Sequence, residues 1–224
     1  MKTKVLLAAG LLVGFAASAQ AASIVGTKHD LSSTGGSTLR SSTQNQTCVF
    51  CHAPHNATTN KLLWNRTAIS GATIKIYTSY NTGAMRTALT QSALSDDSTS
   101  LLCLSCHSLT TADAVINNTS NTKGGTPAGY SGTTFPTVTG GMDNLTNDHP
   151  VGINYDAAQT VATATGLVAS TGGKVGTLRL FKSSVSSTST MECASCHNVH
   201  DNTNGKFLAV SNSGSALCVI CHVK

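Results

Sequence analysis

Apolar residues form only one long block in this chain, residues 5–17 (VLLAAGLLVGFAA); elsewhere they come in short runs separated by Ser, Thr, Gly and Asn. The block follows the basic stretch Met1-Lys2-Thr3-Lys4 and precedes Ala19-Gln20-Ala21, a small-residue cleavage pattern, so it reads as an export leader cut after Ala21. Its roughly 13 residues fall short of the about 20 that span a bilayer. No later run approaches that length, and no cysteine follows the cleavage site to carry a lipid. The expected organisation is a signal peptide over 1–21 and one exported domain over 22–224, without a membrane span of its own.

The shorter runs predict few regular elements. Ser98-Thr99-Ser100-Leu101-Leu102-Cys103, after the capping pair Asp96-Asp97, and Ser215-Ala216-Leu217-Cys218 read as short helices. Gly166–Ser170 and Val175–Phe181 flank Thr171-Gly172-Gly173-Lys174, which predicts a β-hairpin turning at 171–174. Residues 108–165 have little periodicity. Their low charge and scattered apolar residues favour ordered loops, wrapped on a large apolar body or buried against another molecule, over the disorder that such composition alone would suggest.

Composition sharpens the difficulty. Only 10% of residues are charged and 4% aromatic, against about 25% charged in an average soluble domain. Ordinary side chains would build a thin core here, so something else must be buried.

The cysteines supply it. All eight fall in four copies of Cys-x-x-Cys-His: Cys48, Cys51 and His52; Cys103, Cys106 and His107; Cys193, Cys196 and His197; Cys218, Cys221 and His222. This is the attachment signature of c-type haem, in which two thiols bind the porphyrin covalently and the adjacent imidazole takes an axial position on iron. With 8 His in 224 residues, four chance matches come to roughly 2 in a million. Structural zinc built on four cysteines does not need that histidine, and neither do disulfides. Four covalently bound haem c groups are expected, each a flat apolar body that replaces missing core and constrains the chain as a cross-link does. The haem-free chain is expected to be largely unfolded.

A count of histidines closes the coordination. The proximal ligands His52, His107, His197 and His222 leave His29, His55, His149 and His200 as distal ligands for four sixth positions. Methionine, the competing ligand, would raise the potential, but Met85, Met142 and Met191 are not needed. His55 and His200 follow proximal histidines by three residues. Neither can cross its own porphyrin, so each must bind a neighbouring haem, which argues for closely packed rings. The target haems of His29 and His149 are not fixed by spacing. Phe50 and Trp64 are read as packing residues rather than tunnelling relays, and the sequons at Asn56 and Asn144 as products of composition.

Charge excludes one class of partner. Removing Lys2 and Lys4 with the leader leaves 12 basic and 9 acidic residues; four bis-histidine ferric haems with ionised propionates bring the total to roughly −1, and full reduction to about −5. A basic nucleic-acid-binding surface is not expected.

The residues His29-Asp30-Leu31-Ser32, Cys48 through His55, Leu63-Trp64-Asn65-Arg66 and Asp148-His149-Pro150-Val151-Gly152 resemble the paired-motif multihaem cytochromes, and more specifically the tetrahaem outer-membrane cytochrome E type. The resemblance implies a multihaem c-type fold, mostly irregular, with short helices and a hairpin around four haems. It further implies bis-histidine haems in a continuous stack, a homopolymer forming an extracellular conductive filament, and one axial histidine donated across the subunit boundary, either His29 or His149. Redox donor and acceptor proteins, or extracellular acceptors, complete the partners. A monomeric periplasmic shuttle uses the same cofactors. A reductase of a small oxyanion needs an open iron position, which eight histidines for eight sites do not leave, so no catalytic residue is expected.

Overall fold

The computed structural model describes residues 23–37, 40–42, 44–53, 63–66, 69–77, 93–107, 145–146, 148–161, 166–183 and 186–223. Regular structure is sparse among them. All four motifs begin in a helix or a 3-10 turn that ends within the motif. Helix α1 spans Ser100–His107, α2 Tyr155–Val161, α3 Cys193–Cys196 and α4 Ala216–Val219, with 3-10 turns at Cys48–Phe50, Gly71–Thr73 and Ser213–Ser215. Strand β1 (Ile153–Asn154) pairs antiparallel with β5 (Ser186–Met191), which pairs with β4 (Phe181–Ser183); β2 (Lys174–Val175) and β3 (Leu178–Arg179) form a separate ribbon. In register, Ile153 faces Met191 and Phe181 faces Thr190.

Helix α1 starts two residues later than the sequence suggests and runs on through His107. The expected capping pair does other work: Asp96 accepts from Gly71 N at 2.7 Å and Ser70 Oγ at 3.1 Å, and Asp97 accepts from Ser95 Oγ. The carboxylate at the start of α1 comes instead from Glu192, remote in sequence. Helix α2 lies inside the stretch that shows no periodicity; Asn154 Oδ1 accepts from Ala157 N at 3.1 Å and caps it. Residues 108–144 of that stretch lie outside the described residues.

The hairpin is corrected. A tight turn does occupy Thr171–Lys174, closed by reciprocal backbone bonds, but the arm before it does not pair with 175–181. That later segment turns again at once: Val175 faces Leu178 across Gly176-Thr177, a two-residue loop of the kind that needs positive φ, and Gly176 sits at φ +53°. Leu167 and Val168 pair with the chain end instead, with Val168 N bonding Cys221 O at 2.9 Å and Val223 N bonding Gly166 O at 2.7 Å. Two turns so close together leave the first arm unpaired, and the fourth motif takes it up.

One aliphatic core underlies these elements. Ile74, Ile76, Leu94, Leu101, Leu104, Leu145, Ile153, Tyr155, Val175, Leu178, Leu180 and Met191 are buried in a single cluster that includes Cys221. Each such side chain contributes about 1.5–3 kcal/mol when fully buried. A satellite cluster of Val49 and Phe50, with Leu31 and Cys51 against it, lies under the first motif. Phe50 is therefore a packing residue, as the sequence suggests.

Candidate haem-binding site

The four motifs share one local geometry. In the first, third and fourth, the histidine N–H bonds the carbonyl of the leading cysteine: His52 to Cys48 at 2.8 Å, His197 to Cys193 at 3.0 Å and His222 to Cys218 at 3.0 Å. The second motif lies within α1. One helical turn places residues three and four apart on one face, so both thiols and the imidazole of each motif address a single flat group.

Each turn is braced from outside. Asn65 Nδ2 donates to Val49 O at 2.7 Å, Asn65 N to Cys51 O at 3.0 Å and Ala53 N to Leu63 O at 2.8 Å, which fixes the first motif against Leu63–Asn65. Trp64 meets the His52 ring edge-on at 6.1 Å. The third motif is braced by Ala209 N to Cys196 O at 2.8 Å and Asn198 N to Phe207 O at 2.7 Å, the fourth by residues 166–168.

The thiols of different motifs approach one another. Cys51 is within electrostatic reach of Cys106, the Cys103 and Cys193 sulfurs are in hydrogen-bond contact, and Cys196 is near Cys221 and Cys218. Burial, followed by the neighbouring thiols, pushes Cys51 up to about 12 and Cys196 up to about 11. Cys51 and Cys196 are thus neutral thiols, not reactive thiolates.

The histidines come in opposed pairs. Ring centroids lie 6.1 Å apart for His29 and His107, 6.2 Å for His52 and His200, and 6.3 Å for His149 and His222. A ligating imidazole nitrogen sits about 2.0–2.1 Å from its metal and about 1.1 Å from its own ring centre, so two imidazoles on opposite sides of one iron have centroids about 6.2 Å apart. All three pairs fit that separation. Among the described residues no three His, Cys, Asp or Glu side chains converge as a bare metal ion would need; the imidazoles come in twos.

Protonation and tautomer suit ligation. Burial first, then the nearby histidines, holds His29 and His107 below the usual imidazole range. His149 is lowered by burial and by His222, against an opposing hydrogen bond to Pro150. Neutral imidazole is the ligating form. His149 Nδ1 lies 3.1 Å from Pro150 O and His197 Nδ1 3.0 Å from Lys206 O, contacts that place the proton on Nδ1 and leave Nε2 for a metal.

The pairing gives the distal histidines addresses. His200, three residues beyond the third motif's proximal histidine, faces His52 of the first motif, so that tether reaches a neighbouring site. His29 and His149, the two candidates for donation between subunits, both face proximal histidines of their own chain. His55 lies outside the described residues.

Two carboxylates that sequence reasoning passed over hold this arrangement. Asp30 accepts from Gly26 N at 2.9 Å, Ser32 N at 3.2 Å, Ser32 Oγ at 2.6 Å and Thr47 Oγ1 at 3.1 Å. It ties the His29 turn to the residue that precedes Cys48. Burial would raise this carboxyl, but the bonds from Ser32, Gly26 and Thr47 outweigh it and hold it below the ordinary range. Glu192 joins α1 to α3: its Oε2 accepts from Ser98 Oγ at 2.6 Å, Ser100 N at 3.1 Å and Ser100 Oγ, while Cys193 N donates to Ser100 Oγ at 2.9 Å. An aspartate beside a histidine, and the single glutamate of the chain, were the available signals.

The family model for the doubled CXXCH motif matches residues 187–224, which contain the third and fourth motifs. The match supports covalent c-type haem, a multihaem c-type cytochrome and haem-based electron transfer. No curated protein matches the chain. Among the described residues no helix is long and apolar enough to cross a membrane.

Proposed function

We propose that this chain carries four bis-histidine haem c groups and conducts electrons as a subunit of an extracellular filament. The observation that carries the reading is the set of three imidazole pairs 6.1–6.3 Å apart, each containing the histidine of a Cys-x-x-Cys-His motif. Haem iron, cycling between its ferric and ferrous states, supplies the redox chemistry. The chain's own residues would supply two imidazoles to each iron and set the spacing between the groups. His29 with His107, His52 with His200, His149 with His222, and His55 with His197 complete eight positions, which leaves no open iron for substrate and favours electron transfer over reduction of an oxyanion.

The proximity of motifs supports a relay rather than isolated centres. The Cys103 and Cys193 thiols of the second and third motifs are within hydrogen-bond reach, and the ring of His200, beside the third motif, lies 6.2 Å from that of His52 in the first. His29 and His149 each lie beside a proximal histidine of the same chain, which supports assembly through surface contact.

Negative-stain electron microscopy of the secreted, haem-loaded protein, together with its reduced optical spectrum, tests this reading. Thin regular filaments with a low-spin spectrum are expected. Discrete particles with the same spectrum would favour the periplasmic shuttle, and a high-spin component would return the reductase.

A further inference from the structure

Charged residues are scarce in this chain, yet Lys174, Arg179 and Lys182 fall within nine consecutive positions, and no Asp or Glu lies between Asp156 and Glu192. All three cations are exposed. In the β2–β3 ribbon Lys174 and Arg179 stand directly opposite each other across the strands. Like charges in that position destabilise a strand pair, and a ribbon of two residues per strand has little else to hold it. Among the described residues no carboxylate is paired with any of the three.

The same three residues line one cavity of about 570 Å3, together with the apolar Leu180 and Phe181, a size that suits a small ligand. The Arg179 guanidinium lies over the Phe181 ring at 5.0 Å, so a planar cation is held against an aromatic face. Gly172, in the turn before β2, also lines the cavity, and nothing stands within 4 Å of where its Cβ would be. A bound molecule can therefore approach the backbone closely there. One carboxylate, Asp156, shares the cavity, and its Oδ1 already accepts from Ser170 Oγ at 2.5 Å. Three cations against one carboxylate leave a net charge of +2.

We propose that this cavity is a binding site for a flat aromatic dianion, its ring system lying against Arg179 and Phe181 and its anionic groups paired with Lys174, Arg179 and Lys182. Bound there, the ligand neutralises the opposed Lys174 and Arg179 and removes their repulsion across the ribbon. The site uses none of the haem-attachment residues but lies beside them. Strand β3 packs against α3 of the third motif. Ser189, also on the cavity wall, precedes Cys193 by four residues, at most about 14 Å of extended chain. The inference goes beyond the haem reading and does not rest on it.

Calorimetry of the haem-loaded full-length protein with naphthalene-1,5-disulfonate, a redox-inert flat dianion, tests the assignment. Saturable binding is expected at probe concentrations up to about 1 mM in dilute buffer, and it weakens as added salt screens the charges. Ethane-1,2-disulfonate, which has the charge without the ring, is expected to bind about tenfold more weakly. The double variant Lys174→Gln with Arg179→Gln removes two like charges that face each other, so the ribbon is expected to stay folded while affinity for the aromatic probe falls about tenfold. No saturable binding by the wild type, an affinity unchanged in the double variant, or equal affinity for the two disulfonates overturns the proposal. If the double variant fails to fold, hydrogen exchange of the wild type decides. Slower exchange across residues 171–183 on adding the aromatic probe supports the site, and unchanged exchange there overturns it.

Discussion

Asp30 shows how a single side chain places a ligand in this chain. Replacing it with Asn keeps the shape, weakens the three bonds to Oδ1 and loses the bond from Gly26 N, which an amide NH2 cannot accept, at a cost of about 1.5–3 kcal/mol. Asp30→Asn is expected to loosen the His29 turn, detected as a high-spin, CO-binding fraction at one haem, with the other three unchanged. Because the folded carboxyl lies below its ordinary value of 3.8, its contribution is present above that pH and is lost as the pH falls through the folded value. The denaturation midpoint of the wild type should therefore decline in acid more steeply than that of the variant. The angles between imidazole planes make a second prediction at this scale. His52 and His200 are nearly parallel at 15°, whereas His29 with His107 and His149 with His222 are close to perpendicular at 74° and 83°. Parallel ligand planes split the iron dπ orbitals and perpendicular ones leave them nearly degenerate. Electron paramagnetic resonance of the ferric protein should resolve an ordinary rhombic low-spin signal for the first haem and highly anisotropic signals for the second and fourth.

At the scale of elements, every helix and hairpin here is too short to stand alone, and each is fixed by what it packs against. Leu104 on α1 is fully buried, and Leu104→Ala is expected to cost about 2–5 kcal/mol, measured by denaturant unfolding of the haem-loaded protein. Gly176 is constrained twice: its φ is +53°, and a Cβ would meet Ile220 Cγ2 at 3.0 Å. Gly176→Val should cost about 1–3 kcal/mol and disturb the fourth motif selectively, seen as a change in one haem's reduction potential. The α1 and α4 helices were legible because Ser and Asp precede short apolar runs. The partners of those elements were not. Helix α1 takes its capping carboxylate from Glu192, and the arm 166–168 pairs with 221–223 rather than with its sequence neighbour. Strand β5 was invisible for a different reason: Ser186 to Thr190 has no apolar alternation to reveal it, and its place is set by pairing with β1 and β4.

For the whole molecule, the aliphatic core and the motif turns are interleaved, with Cys221 part of the core cluster. Fold and cofactor are thus coupled, and a Cys-to-Ser chain without haem should lack a cooperative thermal transition in circular dichroism; a native-like transition would show that the aliphatic cluster suffices. The sequence by itself carries four Cys-x-x-Cys-His motifs and four further histidines as ligand candidates, because that pattern is complete within five residues. It also showed that His200 must leave its own haem, because a three-residue tether cannot cross the ring. Which proximal histidine lies beside His29, His149 and His200, and where Asp30 and Glu192 act, were decided only by the tertiary structure. Those relations join residues remote in the chain, and no local spacing encodes the opposition of two imidazoles across a gap.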